Sequence, residues 1–173
     1  MTRALCLLPV SLVLAGCMTA TDATNPAVTA RSSLAAADGA PRGSAQLVEA
    51  RSGLSVSVQA QGLPPGTHGI HVHAVGRCDA PDFATAGPHW NPTDRKHGRD
   101  NPDGAHHGDL PNIQIDADGT GSLAFTLPSA KIAQLLDADG AALVVHAGAD
   151  DYRTDPSGNS GGRIACGVIQ NAG

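Results

Sequence analysis

Residues 54–61 read Leu-Ser-Val-Ser-Val-Gln-Ala-Gln, a strict alternation of apolar and polar side chains. Period two is the pattern of a strand with one face buried and one face wet. A strand of this kind needs neighbours, and the rest of the chain offers them. Residues 45–49 precede it across a turn at Arg51-Ser52-Gly53, and Leu63-Pro64-Pro65-Gly66 ends it. Ile70 and Val72 mark another strand. Ile113 and Ile115, the Asp118-Gly119 turn, and Leu123, Phe125 and Leu127 read as a hairpin. Apolar runs at 142–147 and 163–169 add two more strands, while residues 129–136 suggest a short helical segment. Many short strands separated by turn residues predict an all-β fold, an antiparallel sandwich or flattened barrel. Only two Phe, one Trp and one Tyr are present, so its core must be built from Val, Ile, Leu and Ala.

Two segments break the pattern. Residues 76–112 and 148–162 are polar, rich in Gly and Pro, and without periodicity. Long structureless loops in a compact domain are either functional or held by something. The first carries His89, His97, His106 and Asp109, spaced H-x7-H-x8-H-x2-D. Three imidazoles and one carboxylate match the donor types of a closed, four-coordinate zinc site. His71 and His73 share one face of a strand whose other face carries Ile70 and Val72. They are therefore expected on the outside of the barrel wall, as half of a second metal site. His146 ends the run Leu143-Val144-Val145. With His71, His73 and one loop histidine it makes a four-nitrogen set suited to Cu(II).

The N-terminus points to export. Arg3 is followed by an apolar run at 4–14, too short to span a bilayer and typical of a secretory signal. It ends Leu14-Ala15-Gly16-Cys17, similar to a bacterial lipobox, which would make Cys17 the lipidated first residue of the mature protein. Three regions are expected: a lipoprotein signal at 1–16, a lipidated flexible tether at 17–32, and a folded domain at 33–173. In an oxidising compartment the two remaining cysteines, Cys78 and Cys166, would pair. Net charge is −5. No basic stripe exists to neutralise phosphates, which argues against a nucleic-acid partner.

Five separated motifs carry a resemblance. Gly69-Ile70-His71-Val72-His73, Gly87-Pro88-His89-Trp90-Asn91-Pro92, His106-His107-Gly108-Asp109-Leu110, Val144-Val145-His146 and Gly162-Arg163-Ile164-Ala165-Cys166-Gly167 resemble, in order, those of the copper/zinc superoxide dismutases. The likeness runs from about residue 45 to 169. It implies a Greek-key barrel in which the two long loops are a metal loop and an electrostatic loop. It also implies one copper held by His71, His73, His89 and His146, and one zinc held by His89, His97, His106 and Asp109. His89 would be the imidazolate bridging the two ions and would take up a proton when the copper is reduced. Asp150 resembles the carboxylate that links copper and zinc histidines. Cys78–Cys166 matches the family's disulfide, and Arg163 the arginine that docks the anion.

The implied activity is dismutation of superoxide to O2 and H2O2, an antioxidant defence outside the cytoplasm. The protein would be periplasmic or in the cell envelope, held by its lipid to a membrane; Met18 after Cys17 favours the outer one. The alternative is a non-catalytic copper-binding protein that uses the same domain. The family includes homodimers formed through different surfaces, so a second copy joins the expected partners without a chosen face. His68 is expected as a hydrogen-bonded core residue and His107 as a solvent-exposed one. Residues 148–162 depart from many relatives: they are short and carry one cation, Arg153, against Asp150, Asp151 and Asp155. Steering of the anion is then expected from Arg95, Lys96 or Lys131.

Overall fold

The computed structural model describes residues 28–172. The leader, Cys17 and most of the tether lie outside the described residues. Nine strands form: β1 (Thr29–Ala35), β2 (Pro41–Ala50), β3 (Gly53–Ala60), β4 (Gly66–His68), β5 (Ile70–His73), β6 (Ile113–Ile115), β7 (Gly121–Pro128), β8 (Ala142–His146) and β9 (Arg163–Asn171). A single short helix, α1 (Ile132–Leu135), and one 3-10 turn (Ala84–Ala86) complete the regular elements described. Seven strands make one curled antiparallel sheet in the order β5-β8-β9-β1-β2-β3-β7, while β4 and β6 pair separately. This is the expected all-β, flattened-barrel architecture.

The alternation read at 54–61 is the burial pattern of β3. Leu54, Val56, Val58 and Ala60 are buried, and the residues between them are exposed. Their partners come from β1 (Ala30, Leu34), β2 (Ala45, Leu47), β5 (Ile70, Val72), β6 (Ile113, Ile115) and β8 (Leu143, Val145). Each fully buried Leu, Ile or Val contributes roughly 1.5–3 kcal/mol relative to exposure. Strand β8 is buried on both faces, which is why its sequence does not alternate. Leu143 and Val145 face the main core. Ala142 and Val144 face a second small cluster with Phe83, Ala86 and Cys166, beneath the first long loop.

One boundary and one strand pairing differ from expectation. The folded domain begins inside the expected tether, because β1 starts at Thr29 and pairs with both β2 and β9. Ala30, Ser32 and Leu34 are its buried positions, and small residues leave little hydrophobic signal there. The chain does reverse at 116–120, with Asp116 N–H donating to Thr120 O at 2.8 Å. The expected hairpin ladder does not follow: β6 pairs with β4 and β7 with β3. The apolar residues of both strands reach the same core from different ladders.

Strand β5 is an edge of the large sheet, and the first loop covers that edge. Trp90 N–H donates to Val72 O at 2.8 Å, Val72 N–H to Gly108 O at 2.9 Å, and Ala74 N–H to Pro88 O at 2.9 Å. Isolated bridges place His89 beside His73 and Asp109 beside His71. A naked strand edge is a liability that proteins cover; here the cover brings His89 and Asp109 of the loop to the strand's histidines. The Cys78–Cys166 disulfide, with Cα atoms 5.7 Å apart, ties the same loop to β9.

Candidate metal centre

His71 and His73 face away from the main core, as alternation requires, but both are buried, at 0% and 1% exposure. The sequence places them on the outside of the wall; the loop then closes over them. Each strand histidine has one ring nitrogen committed. His71 Nε2–H donates to Asp150 Oδ2 at 2.7 Å, His73 Nδ1–H to Gly87 O at 2.8 Å, and His146 Nδ1–H to Gly161 O at 3.1 Å. A carboxylate or carbonyl oxygen can only accept, so each contact fixes the tautomer and leaves the other nitrogen as a bare lone pair.

Those other nitrogens answer whether a metal fits. His71 Nδ1, His73 Nε2, His89 Nε2 and His146 Nε2 are buried without a hydrogen-bond partner among the described residues. Such atoms normally cost stability, and here four of them converge. The ligand atoms of His71, His73, His89 and His146 all lie within 4.8 Å of one another. Four neutral imidazole nitrogens are the donor set expected for Cu(II).

The second set centres on Asp109. Its Oδ1 lies 2.9 Å from His89 Nδ1, 3.1 Å from His97 Nδ1 and 3.2 Å from His106 Nδ1. His106 Nδ1 and His89 Nδ1 are 3.4 Å apart. A tetrahedron with metal–ligand distances of about 2.0–2.1 Å has edges of roughly 3.3–3.4 Å, so three nitrogens and one oxygen at this spacing fit zinc. Asp109 Oδ2 is occupied elsewhere, accepting the N–H of Gly98 at 2.9 Å and of His106 at 3.0 Å. His71, His89, His97 and Asp109 also form a compact group, because the two sets abut along His71 and His89. His89 belongs to both: Nδ1 faces Asp109, and Nε2 faces the strand histidines.

Asp150 links the sets a second time. Its Oδ2 accepts from His71 Nε2, and its Oδ1 accepts from His97 Nε2 at 3.0 Å. Gly158 makes room for it. With φ at +63° and a Cβ that would fall on the Asp150 carboxylate and 2.7 Å from His97 Nε2, only glycine suits that position. Asp151 is exposed and bonds Thr154 and Asn159 instead, which shapes the loop but not the centre.

Protonation in the metal-free protein follows the same division. Burial pushes His71 down to about 3, His73 to about 2 and His146 to about 4, and lowers His89. For His97 burial also opposes the charged form, but hydrogen bonds to Asp109 and Asp150 prevail and raise it to about 9. Burial would raise both carboxylates; histidine hydrogen bonds overcome it and hold Asp109 and Asp150 well below the usual range.

A cleft of about 660 Å³ opens onto His73, His89 and His146. Arg163 lines it, with its guanidinium donating to Phe83 O at 2.6 Å and Gly87 O at 2.7 Å. Those carbonyls sit in the loop pinned by the disulfide, so the arginine is held at the mouth. Arg95 and Lys96 also line the cleft. Lys131, expected among the steering cations, pairs with Glu49 at 3.1 Å and does not line it. His68 is buried between His146 O and Pro64 O, each at 2.8 Å, as expected. His107 is half-buried rather than exposed, against Trp90 and Thr93. Asp155, expected only as one of the acids of the second loop, accepts His97 N–H at 2.8 Å and pairs with Lys96 at 3.3 Å. An aspartate in a polar loop carries no periodic or motif signal.

Comparison with known proteins agrees with this geometry. Residues 41–169 match the family model described as copper/zinc superoxide dismutase. A superoxide dismutase [Cu-Zn] of Aquifex aeolicus is 44% identical over 134 residues, 74% of this chain and 79% of that protein. One from Caulobacter vibrioides is 44% identical over 142 residues, 78% and 82% of the two chains. The crystal structure of a SOD-like protein from Bacillus subtilis is 38% identical and superposes with a TM-score of 0.76, covering 80% of this chain and 96% of that one. The chain belongs to the copper/zinc superoxide dismutase family.

Proposed function

We propose that this member of the family is an enzyme that dismutates superoxide, 2 O2•− + 2 H+ → O2 + H2O2. The observation that carries the reading is the pair of abutting donor sets, one of four converging histidines and one gathered around Asp109, that share His89 and lie beside a cleft lined by Arg163. His71, His73, His89 and His146 would hold copper. His89, His97, His106 and Asp109 would hold zinc. When bound, copper supplies one-electron exchange, accepting an electron from one superoxide and returning it to a second, while zinc is redox-inert and structural.

The chain's own residues do the rest. Arg163 offers a fixed cationic fork at the mouth, where a small anion can be held by charge and hydrogen bonds. The mature surface is not basic, so this local charge is what concentrates an anionic substrate. His89 has Nδ1 committed to the Asp109 side, which leaves Nε2 as the atom that can hold a proton and give it to the cleft. Asp150 and the Gly87 and Gly161 carbonyls fix the rings of His71, His73 and His146. Such outer contacts set ligand orientation and basicity.

A complete donor set together with Arg163 favours the enzyme over a non-catalytic copper-binding protein, which needs neither the arginine nor the open mouth. Metal content measured alongside superoxide consumption tests this. One copper and one zinc per chain with rapid consumption is the expected result; a fully loaded protein that consumes no superoxide would leave the copper-binding alternative.

The lipobox-like Leu14-Ala15-Gly16-Cys17 supports export and attachment to a membrane through lipid on Cys17, with the domain in the periplasm or cell envelope. The Cys78–Cys166 disulfide suits an oxidising compartment. Mass spectrometry of the native protein is expected to find the lipid on Cys17, and Cys17→Ser to release the protein or block its processing. A homodimer is consistent with the family; the sedimentation coefficient checks it.

A further inference from the structure

Tyr152, the only tyrosine of the chain, lies in the second long loop two residues after Asp150. Its backbone is left-handed, with φ at +61°, a conformation that a bulky residue adopts only when its surroundings impose it. Those surroundings are four separate contacts. Its N–H donates to Asp150 Oδ1 at 2.6 Å, the oxygen that also accepts from His97 Nε2. Its phenol oxygen accepts Asn112 N–H at 2.8 Å. Its carbonyl accepts Asp100 N–H at 3.0 Å. The Arg99 guanidinium lies 3.8 Å from its ring centroid. Gly98, beside the His97 ligand, has φ at +96°, and a Cβ there would strike the Tyr152 carbonyl.

Asn112 carries the phenol contact onward. Its Oδ1 accepts Asp150 N–H at 2.8 Å, and its Nδ2 donates to Asp150 O at 2.9 Å. The side-chain amide therefore clamps both backbone groups of Asp150, while the phenol fixes the backbone of Asn112. Asp150 is thus held from two directions: at its carboxylate by Tyr152 N–H, and at its backbone by Asn112. The same tyrosine grips residues 98–100 of the metal loop.

We propose that Tyr152 is the positioning residue that couples the two loops, holding Asp150 between the copper-set His71 and the zinc-set His97. The inference rests on the ligand assignment proposed above. Tyr152 touches neither metal nor substrate; it acts through Asp150.

The test uses the full chain carrying Tyr152→Phe, Asp150→Asn, or both. Zinc affinity is read by competition with a chromophoric chelator. Copper coordination is read from the electron paramagnetic resonance of the copper- and zinc-loaded protein. Asp150→Asn should weaken zinc by roughly tenfold to a hundredfold, the usual effect of removing an outer hydrogen-bond partner of a metal ligand. Tyr152→Phe removes one hydrogen bond and should weaken zinc by roughly fivefold. It should also move the copper spectrum part of the way toward that of Asp150→Asn. In the Asp150→Asn background, Tyr152→Phe should have no further effect on either reading, because the group it positions is already gone. A general loosening of the loop would instead cost the same factor in both backgrounds, and that result overturns the proposal. So does parental zinc affinity in Tyr152→Phe. If Asp150→Asn itself leaves zinc affinity and the copper spectrum unchanged, the ligand assignment fails rather than the tyrosine's role.

Discussion

His71, His73 and His146 stand on β5 and β8, where ladder hydrogen bonds fix the backbone. His97, His106 and Asp109 stand on a loop with no ladder of its own. On the strands each ring nitrogen outside the donor set meets a backbone carbonyl or Asp150, and the histidines are buried and neutral. On the loop the ligands meet each other: Asp109 accepts from three imidazoles and two backbone N–H groups. The strands thus supply candidate ligands to a fold that exists without them, whereas the loop, beyond its contacts with the β5 edge and its disulfide, is held by the donor cluster itself. One half-site is a consequence of the barrel; the other is part of what closes it.

Removing one member of each half separates the two most widely. Asp109→Ala should destabilise the metal-free protein by roughly 3–5 kcal/mol, since it strips a buried carboxylate from partners left without compensation. It should also lose zinc first. His146→Ala should lose copper, largely keep zinc, and change metal-free stability by about 1 kcal/mol. Denaturant titration of the metal-free proteins, with elemental analysis after reconstitution, measures both. Equal destabilisation by the two variants, or loss of the same metal, would break the contrast.

The same division governs what could be read from the sequence. The strand half was legible: period two gives β3, and H-x-H on a strand gives two rings on one face. The loop's candidate donors were legible by type and spacing together with the family resemblance, and the structure brings them together. What stayed hidden was set by contacts far apart in sequence. Burial of His71 and His73 depends on a loop docking on the β5 edge, which their own strand does not encode. The start of β1 at Thr29 was hidden by small residues such as Ala30 and Ser32, whose burial adds little hydrophobic contrast. The separate ladders of β6 and β7 were hidden because a turn fixes a reversal and not a partner. Lys131 was expected near the cleft on its charge alone, but the ion pair with Glu49 holds it elsewhere. Asp155, Asn112 and Tyr152 act through backbone groups, and polar loop residues with that role look like any others.

Charge at the cleft offers the next contrast. Arg163 is anchored by carbonyls of the loop tied down by the disulfide, whereas Lys96 is exposed and pairs with Asp155. Arg163→Ala should retain both metals and lower the dismutation rate by about tenfold, at the low end of what a focused field contributes. The dependence of rate on ionic strength should weaken with it, because screening acts on charges within about 10 Å at moderate salt. Arg163→Glu should be slower still, and added salt should then raise the rate. An unchanged rate and salt slope in the alanine variant would move the steering role to Arg95 or Lys96.

Acid should act mainly on the strand half. Burial lowers His71, His73 and His146 to about 3, 2 and 4 in the folded protein, from 6.5 when free. The unfolded chain therefore binds more protons below about pH 6.5, and stability of the metal-free protein falls as pH drops from there toward 4. The lowered values of Asp109 and Asp150 add stability that is also lost in acid. His97 has the opposite sign. Raised to about 9, it contributes stability that is complete below 6.5 and lost as pH rises through 9. His146→Ala should flatten the acid limb by up to about 1.4 kcal/mol per pH unit, the effect of one proton, and leave the alkaline limb alone. An acid limb of parental slope in that variant would show that His146 does not contribute to it.

The smallest effect tests why the buried nitrogens have no partner. Five buried side-chain atoms lack a hydrogen-bond partner among the described residues: four imidazole nitrogens and Ser32 Oγ. The four converge within ligand distance of one another, and Ser32 on β1 belongs to no donor set. If a metal is the reason the four are bare, Ser32 is the control, a polar atom with the same cost and no ligand to offset it. Ser32→Ala removes the hydroxyl and leaves a methyl on a core-facing strand position. It should stabilise the protein by about 1 kcal/mol, the lower end of what an unsatisfied buried hydroxyl costs, with metal content and rate unchanged. Metal binding should stabilise the parent and Ser32→Ala alike, since only the imidazoles gain a partner. A Ser32→Ala protein that lost copper or zinc would place the strand β1 hydroxyl in the metal centre's support. One that lost stability would mean that Ser32 has a partner after all, and bareness alone would no longer single out the four nitrogens as ligands.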